Sequence, residues 1–386
     1  MLLVALRIKP RICANLLLRR SLSHAASTIQ TESPDRPFDI LFFGRDEFSC
    51  LVLEQLHEAR DVWQELHIAT QPDMKTGRRG SVLSVSPLKV VGQKLGLPVH
   101  EIPPDKPSFR TWKPPTPFLG LPPPPSRLLV TASFGRILSS RLLQQFASGR
   151  RLNVHPSLLP MYRGPAPIQH AMLDGQSETG VCVIEMTEAK KGIDSGEIWG
   201  EERLPIPEGI KFSSLRDLLA VRGGKLLVSV LRDMIRGSAL ARYQPEIADA
   251  RHAPMITAED ALIDFSKMTA AEIVRRHDAI SHQKPLFAYL KTGKTVQLHE
   301  PSMYQQFPRS LLNRLTVPGM GWYDPRTEAL AIRCAEDTIL LVPELQRQDK
   351  ARLSAKTWWN GIRPEMSAVG GDGHTVLQLL SMPPAL

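Results

Sequence analysis

Short apolar runs alternate with amphipathic segments from residue 39 onward, and this alternation limits the possible folds more than any other feature. The run DILFFG ends at Gly44, and the segment EFSCLVLEQLHEAR after it carries apolar residues at helical spacing. The run LHIAT, the helical segment SPLKVVGQKLG and the run LPVHEI follow. Strands that alternate with helices predict βαβ units, so we expect an α/β fold with a parallel sheet.

Proline interrupts this pattern between residues 103 and 125. The segment holds ten prolines, which argue against both a helix and a central strand. We expect an exposed loop inserted into the α/β unit, because RLLVTASFG resumes a buried strand directly after it. A helix (RILSSRLLQQFASG), a strand (RRLNVHP) and a helix-rich stretch at 213–237 are predicted to follow.

The pattern changes after a linker at residues 241–253. The runs ALIDFS, LFAYLKTGKTVQLHE, EALAIRC and TILLVPELQ predict short strands, and residues 291–294 (KTGK) have the composition of a hairpin turn. The segment LSAKTWWNGI predicts one short helix. We therefore expect a smaller, mostly β, barrel-like domain at residues 254–363, followed by a tail at 364–386.

The first 31 residues carry five cationic side chains and no acidic one. This composition is typical of a mitochondrial transit peptide. A secretory signal is the alternative, but Arg and Lys interrupt its apolar runs. Without this segment the chain has 43 basic and 39 acidic residues, so a polyanionic partner should be met by local patches.

Several other classes of protein are disfavoured. No apolar run approaches 18 uninterrupted residues, so we expect no membrane span. Four scattered cysteines without CxxC spacing argue against a disulfide framework and a structural zinc site, and predict buried thiols in a reducing compartment; they are Cys13, Cys50, Cys182 and Cys334. The chain has no Walker loop and no GxGxxG after its first strand, so the usual nucleotide sites are unsupported.

The sequence NVHP at residues 153–156 places two polar side chains at a strand end. Strand periodicity sends Asn153 and His155 to the same face, and Pro156 ends the strand. The carboxyl ends of parallel strands are where open α/β sheets bind ligands. An amide and a protonated imidazole can both donate to an oxygen that gains charge in acyl transfer. From the spacing alone, the simpler interpretation is a structural histidine at a strand end, with its hydrogen bonds made within the fold, beside an asparagine in a turn.

Asp194 follows forty residues later, between Gly192 and Gly196. Flanking glycines allow a backbone to bring a carboxylate close to a strand end, where it could orient an imidazole. An aspartate in a glycine-rich loop is more often a turn former.

Together these segments resemble a known family. The sequences NVHPSLLP at 153–160, RGPAP at 163–167 and DSG at 194–196 are similar to the signature of the 10-formyltetrahydrofolate-dependent formyltransferases. The resemblance implies a catalytic trio of Asn153, His155 and Asp194. It also implies a Rossmann-like parallel-sheet domain at 38–240 and an OB-like C-terminal β-barrel that binds tRNA.

The segments TQPD, SPLKV and ALIDF resemble the branch of this family that formylates methionyl initiator tRNA, and the cationic N-terminal segment indicates its mitochondrial form. The resemblance then implies that Ser157, Leu158, Leu159 and Pro160 line the folate site. It assigns the loop with Lys75, Arg78 and Arg79 to tRNA binding, although its composition alone fits a solvated loop. Residues 188–191 lengthen the approach to Asp194 relative to bacterial members, which makes its placement less secure.

The expected function is formyl transfer from 10-formyltetrahydrofolate to the α-amine of methionyl initiator tRNA, by a monomer in the mitochondrial matrix without a metal or membrane contact. Glycinamide ribonucleotide or an amino sugar is the alternative acceptor. The second domain argues against glycinamide ribonucleotide, because the enzymes that formylate this acceptor end after the α/β domain. A non-catalytic RNA-binding protein on the same fold is disfavoured by the intact trio.

Overall fold

The first domain is a seven-stranded sheet with helices on both faces. The computed structural model describes residues 34, 36–76 and 81–383. The elements of this domain are β1 (Phe38–Phe43), α1 (Glu47–Glu58), β2 (Trp63–Thr70), β3 (Met74–Thr76), β4 (Val82–Ser84), α2 (Pro87–Lys94), β5 (Val99–Glu101), α3 (Lys106–Thr111), β6 (Arg127–Ala132), α4 (Ser140–Leu143), β7 (Arg151–His155), α5 (Pro167–Leu173), β8 (Glu178–Glu185), β9 (Ile198–Pro205) and α6 (Phe212–Ile235).

The strand order in this sheet is β5-β2-β1-β6-β7-β8-β9. The pairs from β5 to β7 are parallel, which confirms the α/β prediction, whereas β8 and β9 run antiparallel to their neighbours. The chain leaves β1 towards β2 and later returns to β6 on the other side of β1. This reversal creates a switch point, where α/β sheets form a ligand crevice at the carboxyl ends of their strands.

Helix α6 packs across the sheet and against α1. A Cβ on Gly224 would lie 2.7 Å from the Cβ of Gln55, and one on Gly223 would lie 2.7 Å from Val154. Two glycines inside a helix lower its intrinsic stability. Here they allow α6 to lie close to both α1 and the sheet, in the larger hydrophobic core of the protein.

The proline-rich segment is mostly exposed, as its composition predicted, but it contains a short helix that the prolines argued against. Asp105 caps α3 by accepting a hydrogen bond from the backbone N–H of Ser108 at 2.8 Å. Pro107 lies in the first turn of α3, where its missing N–H costs no intrahelical bond. Phe109 and Phe118 are buried in a second hydrophobic cluster. The segment therefore covers part of the sheet.

The second domain is dominated by an antiparallel sheet of ten strands in the order β12-β15-β14-β13-β19-β10-β11-β16-β17, with β18 paired to β19. Its elements are α7 (Ala270–Ile280), β10 (Phe287–Leu290), β11 (Thr295–His299), β12 (Ser302–Met303), α8 (Arg309–Arg314), β13 (Met320–Asp324), β14 (Ala329–Arg333), β15 (Ile339–Val342), β16 (Glu344–Arg347), β17 (Arg352–Ser354), α9 (Ala355–Asn360), β18 (Ser367–Val369) and β19 (Thr375–Leu380). The mostly β prediction, the turn at 291–294 and the short helix α9 are confirmed.

The described part of the predicted tail, residues 364–383, is folded into the second domain. Strand β19 lies between β13 and β10, with Met320 opposite Gln378 and Tyr289 opposite Leu380. Leu377 and Leu379 are buried. The end of the chain therefore contributes a central strand to the second domain.

Three further predictions concern the N-terminal segment, the cysteines and membrane-spanning helices. The predicted transit peptide, residues 1–31, and Cys13 lie outside the described part of the chain. Cys50, Cys182 and Cys334 are free and buried, and burial raises the pKa of each thiol to about 12. Within the described ranges, no helix is long and apolar enough to cross a membrane.

Candidate active site

Three side chains meet at the carboxyl end of β7. The Nδ2 atom of Asn153 lies 3.4 Å from Oδ1 of Asp194, and Nδ1 of His155 lies 3.7 Å from Oδ2 of the same carboxylate. His155 is buried and Asp194 is largely buried. The structure thus brings together the three residues that the sequence marked, with the carboxylate between the amide and the ring.

The tautomer of His155 follows from its other contact. Its Nε2 atom lies 3.0 Å from the backbone carbonyl oxygen of Tyr162. A carbonyl oxygen can only accept, so Nε2 carries a proton and donates it. The other ring nitrogen, Nδ1, faces Oδ2 of Asp194 at 3.7 Å, which is longer than a hydrogen bond.

The Asn153 amide is oriented from both of its ends. Thr131, directly opposite Asn153 on β6, donates its hydroxyl hydrogen to Oδ1 at 2.7 Å. The NH₂ group then points towards Asp194. An amide fixed in this way presents its donors, rather than its carbonyl, to the carboxyl edge of the sheet.

Asp194 is held by the segment that follows β7 and by its own unusual backbone. The backbone N–H of Gly164 donates to Oδ2 at 3.1 Å. Asp194 has φ +55°, and Gly196 lies so close to Glu185 that a Cβ would meet its carbonyl oxygen at 1.9 Å. Only glycine allows that approach, so the Gly196 position is explained by packing.

The segment predicted to line the folate site has mostly buried side chains. Ser157 donates its hydroxyl hydrogen to the carbonyl oxygen of Met161 at 2.8 Å, and Leu159 packs in a small apolar cluster with Cys182. Pro160 is buried, whereas Leu158 is partly exposed. Leu158 and the backbone are therefore the parts of this segment that remain accessible to a ligand.

Of the predicted tRNA-binding residues, Lys75 belongs to a separate two-stranded hairpin. Lys75 is exposed on β3, which pairs with β4, whereas Arg78 and Arg79 lie outside the described residues. The Lys89 ammonium donates to Asp73 at 2.8 Å and to Glu101 at 2.7 Å. These two ion pairs tie the start of the hairpin to α2 and to the end of β5.

Sequence reasoning missed a second polar contact on the same edge of the sheet. The Ser133 hydroxyl, after β6, donates to the carboxylate of Asp46, which follows β1. Burial raises the pKa of Asp46, and its carboxylate also accepts from the backbone N–H of Ser49 at the start of α1. Ser133 and Asp46 each follow one of two neighbouring strands, and this position is the sequence signal that could have identified them.

The arrangement suits electrostatic stabilisation of an oxyanion. Asn153 supplies an amide donor, and a protonated His155 would supply a ring donor beside it. Asp194 can hold the charged ring. Within residues 34, 36–76 and 81–383, no group of three His, Cys, Asp or Glu side chains is placed to hold a metal ion.

Comparison with known proteins indicates the family to which the chain belongs. The Formyl transferase family matches residues 124–231, and the Formyl transferase C-terminal domain matches residues 255–363. A sugar 3N-formyltransferase structure, 16% identical, superposes with a TM-score of 0.53 over 81% of this chain and 99% of its own, and it shares the fold.

Two relatives with similar sequences indicate the branch of the formyltransferases to which the chain belongs. Methionyl-tRNA formyltransferase from Lactiplantibacillus plantarum is 31% identical over 324 residues, which cover 83% of this chain and 95% of the relative. The human mitochondrial methionyl-tRNA formyltransferase is 30% identical over 332 residues, which cover 84% of this chain and 78% of the relative. The chain therefore belongs to the methionyl-tRNA formyltransferase family.

Proposed function

We propose that this protein transfers a formyl group from 10-formyltetrahydrofolate to the α-amine of methionyl initiator tRNA. The observation that carries the proposal is the carboxylate of Asp194, which lies within 3.4 Å of the Asn153 amide and 3.7 Å of the His155 ring. The similarity to methionyl-tRNA formyltransferases over most of the chain supports the choice of acceptor.

The chemistry requires a neutral amine to attack the formyl carbon and form a tetrahedral oxyanion. Asn153 Nδ2 donates to that oxygen, and so does the Nδ1–H of a protonated His155, because its 3.7 Å separation from Asp194 is too long for a hydrogen bond that would occupy this proton. These donors stabilise the charge of the oxyanion more than that of the ground-state carbonyl. Asp194 orients the ring and stabilises its protonated form. As the tetrahedral intermediate collapses, the bond to the folate nitrogen breaks, and the proton lost by the amine balances the one that this nitrogen gains.

Each substrate has a proposed place. The folate lies at the carboxyl edge of the sheet, against Leu158 and the backbone of residues 157–160. The methionyl-tRNA contacts the β3–β4 hairpin through Lys75, Arg78 and Arg79, whose charge suits phosphate contacts. The second domain holds the rest of the tRNA.

We also propose that the protein acts in the mitochondrial matrix. The acid-free, cationic composition of residues 1–31 supports this location, as does the similarity to the human mitochondrial relative. A fusion of these 31 residues to a fluorescent reporter should accumulate in mitochondria. A secreted or cytosolic reporter would contradict the assignment.

The activity itself is tested by acid-gel separation of methionyl-tRNA before and after incubation with the protein and 10-formyltetrahydrofolate. We expect conversion of initiator methionyl-tRNA to its formylated form. Glycinamide ribonucleotide and an amino sugar nucleotide are tested in parallel. Formylation of either of these, with none of methionyl-tRNA, would assign a different acceptor, and no transfer to any acceptor would contradict enzymatic function.

A further inference from the structure

The linker between the two domains reaches the catalytic loop through one side chain, Gln244. Its Nε2 atom donates to the backbone carbonyl oxygens of Asp194 and Gly196, both at 2.8 Å. Its Oε1 atom accepts from Nε of Arg163 at 3.0 Å and from Nη2 at 2.5 Å. Both hydrogens and both lone pairs of the amide are therefore used.

A second part of the linker runs along the segment after β7. The backbone N–H of Tyr162 donates to the carbonyl oxygen of Arg251 at 2.6 Å. The N–H of Ala253 donates to the carbonyl oxygen of Arg163 at 2.8 Å, and that of Ala166 donates to Ala253 at 3.1 Å. The chain at residues 162–166 is thus bound to the linker by three backbone hydrogen bonds.

The same segment holds two of the three candidate catalytic side chains. The carbonyl of Tyr162 accepts from His155, and the N–H of Gly164 donates to Asp194. Gly164 has φ +123°, and a Cβ there would lie 2.6 Å from the carbonyl oxygen of Ala253. The linker therefore contacts the backbone of residues 162–166, which in turn orients His155 and Asp194.

We propose that Gln244 is a positioning residue: it fixes the conformation of the Asp194 loop for formyl transfer. The interdomain linker therefore contributes to catalysis. This inference rests on the proposed function. The Asp194 side chain has to stay beside the His155 ring although its loop is glycine-rich. The Asp194 carboxylate is held by Asn153 and Gly164, and Thr187 donates to the carbonyl oxygen of Gly192. The bonds from Ser195 to the carbonyls of Lys191 and Gly192 are internal to the loop. Gln244 adds two bonds to the loop backbone on either side of Ser195, at Asp194 and Gly196.

The chemical type of residue 244 follows from its four bonds. Two backbone carbonyls need donors and the guanidinium of Arg163 needs an acceptor, and an amide of this length offers both. A glutamate would keep the Arg163 contact but would face the two carbonyls with a second acceptor. A methionine would fill similar space without either polar interaction.

The first experiment compares Gln244→Met and Gln244→Glu with the parent protein in the formylation of methionyl-tRNA. We expect kcat to fall by about tenfold to a hundredfold in both variants, since small displacements of a catalytic group have effects of this size. The KM values for both substrates should stay within about twofold, because Gln244 acts on the loop and not on a ligand. Glu246→Met, at an exposed position of the same linker, is the matched control and should keep the parent kcat.

A double-mutant cycle with Asp194→Ala separates positioning from general stability. If Gln244 acts through Asp194, Gln244→Met should lower kcat in the parent background and have little further effect once Asp194 is alanine. Equal losses in both backgrounds would overturn the proposal. A parent-like kcat in Gln244→Met, or full rescue by Gln244→Glu, would also overturn it, the latter because only the Arg163 contact would then matter.

Failure of this inference is distinct from failure of the proposed function. A parent protein that does not formylate methionyl-tRNA would refute the function. An active parent with unaffected Gln244 variants would refute only the role of the linker. If Gln244→Met does not fold, as judged by its thermal unfolding, Gln244→Glu still tests the requirement for two donors.

Discussion

The hydroxyl of Thr131 lies 2.7 Å from Oδ1 of Asn153, directly across the β6–β7 pair. The carboxylate of Asp194 can only accept, so the NH₂ group points towards it, and the hydroxyl of Thr131 holds the oxygen at the other end of the amide. Without the hydroxyl, the amide could rotate and present its oxygen to a developing oxyanion. Orientation of the donor is therefore a property of two neighbouring strands rather than of Asn153 alone.

Thr131→Val should lower kcat by about fivefold to tenfold, the value of one buried hydrogen bond of about 1 kcal/mol. Valine has almost the same shape, so folding and the KM for each substrate should change little. Thr131→Ser restores the hydroxyl and should recover most of the rate. Steady-state kinetics of the two variants test this, and a serine variant as slow as the valine variant would contradict an orienting hydrogen bond.

Asn153→Ala and His155→Ala should each lower kcat by about 10²–10³-fold, which is the typical effect of removing one oxyanion donor. Both side chains lie at a strand end, so the fold should survive. Folate binding measured by fluorescence is the control for an intact site. Turnover near that of the parent in either variant would remove that residue from the mechanism.

Asp194→Asn should keep the shape of the loop and lose the charge that faces Nδ1 of His155. We expect tetrahydrofolate to bind as in the parent and kcat to fall. Because Asp194 is expected to act through the ring, its effect should be non-additive with His155→Ala. The measurement is a double-mutant cycle on kcat, and fully additive losses would show that the two residues act separately.

Part of this site could be predicted from the sequence because it depends on local rules. Strand periodicity and Pro156 place Asn153 and His155 together at a strand end, and the structure confirms that placement. Gln244 gives no such signal. It lies 50 residues from Asp194 along the chain, and only tertiary packing brings its amide to the loop.

Two predictions about the fold were wrong, those for the proline-rich segment and for the tail. The ten prolines argued against a helix, but a proline in the first turn of α3 is compatible with one. The sequence predicted a tail at 364–386, after the segment LSAKTWWNGI. Strand β19 lies within that range, because its apolar residues complete the sheet between β13 and β10.

The β3–β4 hairpin should serve the tRNA and not the folate. Arg78→Ala and Lys75→Ala should each raise the KM for methionyl-tRNA and leave tetrahydrofolate binding unchanged. Loss of one phosphate contact should reduce the slope of log affinity against log salt by about one. Lys94→Ala is the matched control, because Lys94 is an exposed lysine at the C-terminal end of α2 and not on the hairpin. Unchanged salt dependence in both hairpin variants would mean that these side chains do not contact the tRNA backbone.

Glu185 gives the protein a pH-dependent stability that is separable from catalysis. Burial raises the pKa of its carboxyl from 4.5 to about 7, against the opposing effect of nearby Arg151. The unfolded chain loses this proton near pH 4.5 and the folded chain only near pH 7. The free energy of unfolding should therefore fall by about 3 kcal/mol between those values and stay level above them.

Glu185→Gln cannot ionise, so the variant should lose this decline and gain stability relative to the parent as the pH rises from 5 to 8. Urea unfolding at the two pH values measures the difference. Glu178→Gln, at an exposed position on the same strand, should keep the pH dependence of the parent. If Glu185→Gln and the parent respond equally to pH, the Glu185 carboxyl is already ionised in the folded protein at pH 5. The ion pair with Arg151 would then outweigh the cost of burial.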